Sequence, residues 1–223
     1  DYNLMIGLHL QENVQEAHQL REKLGKDPVV FLDEIGYLNE RLLAFHCVYF
    51  SAYDISLFAS EGCKVSHNPA SNMKLANGIP PVTEMIRAGI TVGLGTDGCA
   101  SNNTLDMIKE MSTAAKLHKV AVLDPTVMDA ATTVRMATIN GAKALGMDRI
   151  TGSLEAGKKA DMIVIGLDKP HLTPMYNAYS HLVYAAGGAD VDTVIINGKV
   201  VMENRQLLTI DENKVMSEVR AIA

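Results

Sequence analysis

The strongest constraint on the fold is the alternation of strand-like and helix-forming segments over the first two-thirds of the chain. The strand-like segments are Leu4–Leu8, Leu42–Phe45, Lys64–Ser66 and Ile90–Leu94. Short strands separated by helical crossovers pair in parallel, and such strands are largely apolar because both faces of the sheet are buried. The pattern predicts an α/β fold built around a parallel sheet.

Helices are predicted between and after these strands. Ser51 is a suitable N-cap for a helix over Ala52–Ser60, and Gly62 follows as a stop signal. Pro81 fits the first turn of another helix, which Gly89 would end. Further helices are predicted at Asn13–Leu24, Val30–Leu38, Leu105–Lys116 and Val127–Ala137.

The last third of the chain has a different character. Asp161–Gly166 is a β-rich run, and Asp192–Ile196 and Lys199–Met202 flank Asn197-Gly198. An Asn-Gly pair between two strands favours a hairpin with a type I′ turn. The expected domains are an α/β unit over residues 1–150 and a small β unit over residues 151–223.

Each predicted strand is followed by a residue that can take part in chemistry. The four strands lead in turn to His9, His46, His67 and Asp97, and Glu12 follows His9 closely. In parallel α/β barrels the active site forms at the carboxyl ends of the strands. We therefore expect these side chains to lie on one rim of the sheet.

The chemistry of these residues favours a metal site, although each has another interpretation. Neutral imidazole and carboxylate bind Zn²⁺, and a carboxylate outside the coordination shell can carry protons. If the chain turns after His9, then Glu12 reaches the same site; otherwise the pair matches a core histidine and a capping glutamate. Asp97, between glycines, also matches a turn aspartate. His67 lies in the turn-rich segment Ser66–Asn72, where we predict a supporting role rather than metal binding.

A single histidine is weak evidence for a functional site. His46 taken alone also fits a buried core histidine, and its case depends on sharing a rim with the residues above. His18 and His118 are predicted to face solvent from helices. His171 and His181 lie in the C-terminal segment, away from the predicted rim.

Composition argues against several classes of function. The 223 residues carry a net charge of −6, with a pI of about 5.6, so no surface for nucleic acid or an anionic membrane is expected. The apolar runs are too short to cross a bilayer. Three cysteines without a C-x-x-C pair favour reduced thiols and a cytoplasmic protein. The chain opens inside a predicted strand and shows no signal peptide, so we expect further sequence before Asp1.

Five segments together resemble the amidohydrolase superfamily, and within it the 5-methylthioadenosine/S-adenosylhomocysteine deaminases. They are His9-Leu10-Gln11-Glu12, Ala44–Cys47, Ser66–Leu75, Gly95–Asn103 and Gly152–Asp161, in the family's order. The resemblance implies strands five to eight of a metal-dependent (β/α)8 TIM barrel, followed by the C-terminal part of a small β-sandwich. The chain thus resembles the C-terminal half of such an enzyme.

The resemblance also implies a site and a reaction. One Zn²⁺, or in some members iron, occupies each complete site, with His9 and Asp97 among its ligands. Glu12, His46 and Asp97 contact the substrate and act in catalysis. Glu12 protonates a ring nitrogen, His46 contacts the attacking water or the developing alkoxide, and Asp97 takes the proton of that water. The implied reaction is hydrolytic deamination of an adenine nucleoside.

The sequence departs from the family pattern at one point. The family places an H-x-H metal pair after its first strand, and no H-x-H occurs in the 223 residues. We therefore expect half of an active site, inactive alone, completed by a missing N-terminal half or by a second copy of the chain in a homo-oligomer. Two alternatives remain. One is a related amidohydrolase acting on guanine, a triazine or another heterocycle, and the other is a truncated module without catalysis.

Overall fold

A parallel sheet forms the first part of the molecule, which a computed structural model describes over residues 4–222. Its strands are β1 (Ile6–Leu10), β2 (Leu42–His46), β3 (Lys64–His67) and β4 (Thr91–Leu94), in that spatial order. Ala44 pairs with Leu8 on one side and Val65 on the other, and Val65 pairs with Val92. The predicted parallel α/β sheet is confirmed. The outer ends of the two predicted domains, residues 1–3 and 223, lie outside the described residues.

Helices connect the strands and cover the sheet. They are α1 (Val14–Leu24), α2 (Pro28–Glu34), α3 (Ala52–Ser60), α4 (Pro69–Lys74), α5 (Val82–Arg87), α6 (Cys99–Asn102), α7 (Met107–Val122), α8 (Ala130–Ala137) and α9 (Ile139–Ala144). The bounds of α3 are as predicted, with Ser51 and Asp54 in a reciprocal capping box. α7 begins after Asp106, which caps it, rather than at Leu105, and it continues to Val122. The sequence pattern does not predict the short helices α4, α6 and α9.

Burial is greatest at the centre of the parallel sheet. Ala44, Val65 and Val92 have no exposed surface, whereas the edge strand β1 is only partly covered. On the other edge, α9 packs directly on β4, because a Cβ on Gly93 would lie 3.1 Å from the Gly141 Cα. Burial on both faces explains why the central strands are rich in apolar residues.

An antiparallel sheet forms the second part of the molecule. It contains β5 (Met162–Ile165), β6 (Val191–Ile196), β7 (Lys199–Glu203) and β8 (Gln206–Leu207), and the helices here are α10 (Ala178–Tyr184) and α11 (Glu212–Ile222). Asn197 and Gly198 have φ angles of 50° and 78°, so the predicted type I′ turn is confirmed. Val183 and Met202 belong to the same buried core as the parallel sheet. Over residues 4–222, none of the helices has the length and apolar character needed to cross a membrane.

Candidate active site

The carboxyl ends of β1, β2 and β4 bring three of the predicted site residues together. One donor atom from each of His9, His46 and Asp97 lies within 4.8 Å of the other two. The backbone leaves these strands through the left-handed region, with φ of 50° at Gln11, 71° at His46 and 59° at Asp97. Non-glycine residues held in such conformations cost about 1–3 kcal/mol each and concentrate at functional sites. The strained backbone positions therefore lie at the same strand ends as the cluster of His9, His46 and Asp97.

The chain turns between His9 and Glu12, as is needed for both residues to reach one site. The strand ends later than the predicted Leu4–Leu8, because β1 continues to Leu10 and the left-handed turn occurs at Gln11. The Gln11 carbonyl accepts two backbone N–H groups from the segment after β2, which fixes the end of β1. The turn brings Glu12 to the same rim, where its Oε2 lies 3.8 Å from His46 Nε2.

His46 directs an unpartnered nitrogen at the cluster. Its ring is fully buried, and Nδ1 lies 2.8 Å from Asn72 Oδ1. An amide oxygen only accepts, so Nδ1 is the donor in this contact and Nε2 is the ring nitrogen that faces the cluster. Within the described part of the chain Nε2 has no hydrogen-bond partner, and it lies 4.0 Å from Asp97 Oδ2. A buried ring nitrogen without a hydrogen-bond partner, facing two carboxylates, is available to a ligand.

The donor set fits a divalent metal ion. Imidazole and carboxylate are ligands of zinc and non-haem iron, and catalytic zinc commonly has three protein ligands and an open position. The sequence predicts His9 and Asp97 as ligands and His46 on the substrate side of the metal. The structure places His46 Nε2 in the same cluster as both ligands, and this orphaned nitrogen is the observation that favours an ion there.

Asp97 is held in its ionised form by hydrogen bonds. Ser71 Oγ donates to Oδ2 at 2.6 Å, and the Gly98 amide donates to Oδ1 at 2.7 Å. Partial burial disfavours the charge, but the bonds from Ser71 and Gly98 outweigh it, so the pKa of Asp97 lies below its ordinary value. At neutral pH the side chain is a carboxylate, which can bind a cation or accept a proton.

Glu12 borders an open groove beside the cluster. Asn77 Nδ2 donates to Glu12 Oε1 at 2.8 Å, while Oε2 is the oxygen nearer His46. The groove has a volume of about 540 Å³, and its walls include Tyr49 and Leu75. Its other walls include the polar side chains of Asn13 and Gln15, so the groove offers both apolar surface and hydrogen-bonding groups.

His67 lies beneath the rim rather than in the cluster. Its buried ring has Nε2 3.0 Å from His118 Nε2, and burial lowers the pKa of both rings, that of His118 to about 4. Both rings are therefore neutral at pH 7. The prediction that His118 faces solvent is wrong, because α7 buries it together with Ile108, Met111 and Ala115. The helical spacing of these buried residues is the sequence signal that identifies its true face.

Three supporting residues are not predicted from the sequence. Ser71 and Asn72 lie on α4, and Asn77 lies in the loop just after it. The density of asparagine and serine directly after β3 is a signal for the first two, since these side chains bond readily at strand ends and turns. Asn77 has no local signal, because its partner Glu12 is 65 residues away in the chain.

Comparison with known proteins identifies relatives of the chain. Residues 1–201 match the model of the Amidohydrolase family. The chain is 62% identical to 5-methylthioadenosine/S-adenosylhomocysteine deaminase 1 of Syntrophus aciditrophicus strain SB, over 100% of its own length and 50% of that protein. The chain thus spans about half the length of this curated relative.

Two solved structures show the same relation in three dimensions. A zinc-bound adenosine deaminase from Xanthomonas campestris superposes with a TM-score of 0.95 at 40% identity, over 97% of this chain and 49% of that one. A zinc complex of atrazine chlorohydrolase from Arthrobacter aurescens TC1 gives a TM-score of 0.93 at 28% identity, over 100% of this chain and 49% of that one. The family match extends over most of the sequence, and the fold agrees with it. The chain corresponds to a C-terminal portion of such a protein and therefore belongs to the amidohydrolase family.

Proposed function

We propose that the chain forms part of the active site of a metal-dependent hydrolase that deaminates the adenine ring of a nucleoside. The substrate class is that of 5-methylthioadenosine and S-adenosylhomocysteine. The observation that carries the proposal is the cluster of His9, His46 and Asp97, with the His46 nitrogen unpartnered among residues 4–222. The 62% identical relative is named as a deaminase of these two compounds, which supports the choice of substrate.

The residues of the cluster would hold one Zn²⁺ or iron ion. His9 and Asp97 would bind it, and His46 Nε2 faces the same point. When bound, the ion supplies Lewis-acid activation of water. Zinc is favoured over iron because the adenosine deaminase and the atrazine chlorohydrolase described above both contain zinc.

The chain's own side chains would move the protons of the reaction. The Asp97 carboxylate, held ionised by Ser71, accepts a proton from the attacking water. His46 Nε2 accepts a hydrogen bond from that water and orients it, because Asn72 fixes the opposite side of the ring. The water oxygen bonds to the ring carbon that carries the amino group, and Glu12 delivers a proton to the adjacent ring nitrogen. The amino group leaves as ammonia with the proton that Asp97 took, and Glu12 recovers its proton from the added hydroxyl as the ring carbonyl forms.

The proposed site needs residues that this chain does not contain. We propose that β1 to β4 correspond to strands five to eight of a (β/α)8 barrel. The sequence has no H-x-H pair, so the remaining metal ligands would come from an N-terminal half or from a second copy of the chain. A monomer of the present chain alone would then be inactive.

A hydrolase acting on a triazine or another heterocycle is the second candidate. It is favoured by the close superposition on atrazine chlorohydrolase, at a TM-score of 0.93. We prefer the nucleoside because identity to that enzyme is 28%, against 62% to the deaminase. A non-catalytic module is the third hypothesis. Activity measurements distinguish it from the nucleoside deaminase and from the triazine hydrolase.

The test combines this chain with the N-terminal half of the Syntrophus aciditrophicus relative in the presence of Zn²⁺. Ammonia release is measured with 5-methylthioadenosine, S-adenosylhomocysteine and guanine, and chloride release with atrazine, for the complex and for each half alone. We expect release from the two nucleosides only when both halves are present. A folded, zinc-loaded complex that leaves both nucleosides intact would contradict the proposed substrate, and rapid turnover by this chain as a monomer would contradict an incomplete site.

A further inference from the structure

Glu110 is a buried carboxylate that takes no part in the proposed reaction. It lies on the inner face of α7 with 1% of its surface exposed. Its oxygens accept hydrogen bonds from two uncharged donors, the Ala70 amide at 3.2 Å and Asn102 Nδ2 at 2.7 Å. Burial raises the pKa of this carboxyl, because the charged form loses its hydration. A buried charge at this position destabilises the fold unless its hydrogen bonds compensate. The two groups that donate to Glu110 therefore indicate its role.

The Glu110 carboxylate joins two separate segments of the chain. Ala70 belongs to the first turn of α4, and Asn102 is the last residue of α6. Asn102 Nδ2 also donates to the Thr96 carbonyl at 2.8 Å, directly before Asp97. Glu110 therefore fixes α4 against the segment that carries Asp97.

Both of these segments determine the geometry of the cluster. From α4, Ser71 bonds to Asp97 at 2.6 Å and Asn72 bonds to His46 at 2.8 Å. A movement of α4 by about 1 Å away from Asp97 and from β2 would take both contacts outside hydrogen-bonding distance. Functional constellations tolerate displacements of only about 0.5 Å.

We propose that Glu110 is a positioning residue, which acts through α4 and Asn102 to align His46 and Asp97. The inference rests on the proposed function for the use of the site, while the contacts themselves do not depend on a metal. If Glu110 only caps α4, a different result is predicted. Its replacement then lowers the stability of the fold but leaves the orientation of His46 unchanged in the molecules that remain folded.

The test measures the tautomer of His46 in the full 223-residue chain without metal, by ¹⁵N NMR of the imidazole at neutral pH. Glu110→Gln keeps the size of the side chain but replaces one acceptor oxygen by an NH₂ group, so one of the two contacts is lost. Glu61→Gln, at an exposed position after α3, is the matched control. Asn72→Leu removes the acceptor from His46 Nδ1 and calibrates the signal.

We expect the wild-type chain and Glu61→Gln to carry the proton on Nδ1. Glu110→Gln is expected to lose this preference and to approach the Asn72→Leu spectrum while its circular dichroism stays native. If Glu110→Gln fails to fold, Glu110→Asp decides the question, because its shorter side chain keeps the charge but cannot reach both donors. A folded Glu110 variant with an unchanged His46 tautomer would overturn the inference.

Zinc binding separates this inference from the proposed function. In the complex completed with the N-terminal half, competition with a chromophoric chelator is expected to show affinity for Zn²⁺ about 10–100-fold weaker for Glu110→Gln than for the wild type, the usual effect of losing outer support for metal ligands. A completed wild-type complex that binds no Zn²⁺, combined with a tautomer change in Glu110→Gln, would refute the metal site and support the positioning role. An unchanged tautomer refutes the positioning role whatever the zinc result.

Discussion

Gly95 provides a sharp test of how β4 delivers Asp97 to the cluster. A Cβ on Gly95 would lie 2.5 Å from Asn68 Oδ1 and 2.7 Å from Ser66 Oγ. These two atoms are hydrogen-bonded to each other at 3.0 Å, so a methyl group fits only if they separate. Gly98 lies just beyond Asp97 and has free space where Gly95 has none. Nothing lies within 4 Å of a Cβ there, and its φ of −71° suits alanine.

The same substitution is therefore expected to have opposite effects on stability at the two glycines. Gly95→Ala should destabilise the fold by about 1.5–4.5 kcal/mol, from overpacking of about 1–3 kcal/mol and a lost hydrogen bond of about 0.5–1.5 kcal/mol. Gly98→Ala should change the free energy of unfolding by less than about 1 kcal/mol, and in the stabilising direction, because alanine restricts the unfolded chain.

Equilibrium unfolding in urea measures both variants under one set of conditions. The chain has no tryptophan, so far-UV circular dichroism is the appropriate probe. We expect a lower midpoint for Gly95→Ala at an unchanged slope, and a midpoint at or above wild type for Gly98→Ala. Equal midpoints for the two variants would refute the reasoning, since they would show that Ser66 and Asn68 move aside without cost.

Three further predictions concern individual side chains. In the complex completed with the N-terminal half, Asp97→Asn should abolish ammonia release and lower the zinc content, and retention of both would exclude the roles proposed for Asp97. Glu12→Gln should lower kcat by about 10²–10⁴-fold in steady-state assays, with zinc content by elemental analysis unchanged. For His118, the folded pKa of about 4 lies below the ordinary 6.5, so the unfolded chain binds the proton first and stability falls as the pH decreases from 6.5 towards 4. Urea midpoints should depend less on pH over this range in His118→Gln, and identical pH dependence would rule His118 out as the cause.

The sequence predicts the parts of the site that depend on local pattern. His9, His46 and Asp97 follow recognisable strands, and parallel strands place their carboxyl ends on one rim. The limits of β1 are less predictable, because Leu4 and Met5 are apolar but are 66% and 38% exposed before the strand begins. Contacts between distant segments are not encoded in any local window. One example is the pair of His67 with His118, which are separated by 51 residues.

Three side-chain contacts that support the site come from one short segment, so the stability of this segment affects the whole site. Ser71, Asn72 and Asn77 each bond to a different site residue. α4 has six residues, and a helix of that length is not stable in isolation. Its position must come from its neighbours, including Glu110 at its first turn and the Tyr49 hydroxyl, which donates to the Asn77 carbonyl at 2.8 Å. Local opening of α4 would thus release His46, Asp97 and Glu12 together, so hydrogen exchange of the α4 amides should report on the integrity of the site as a unit.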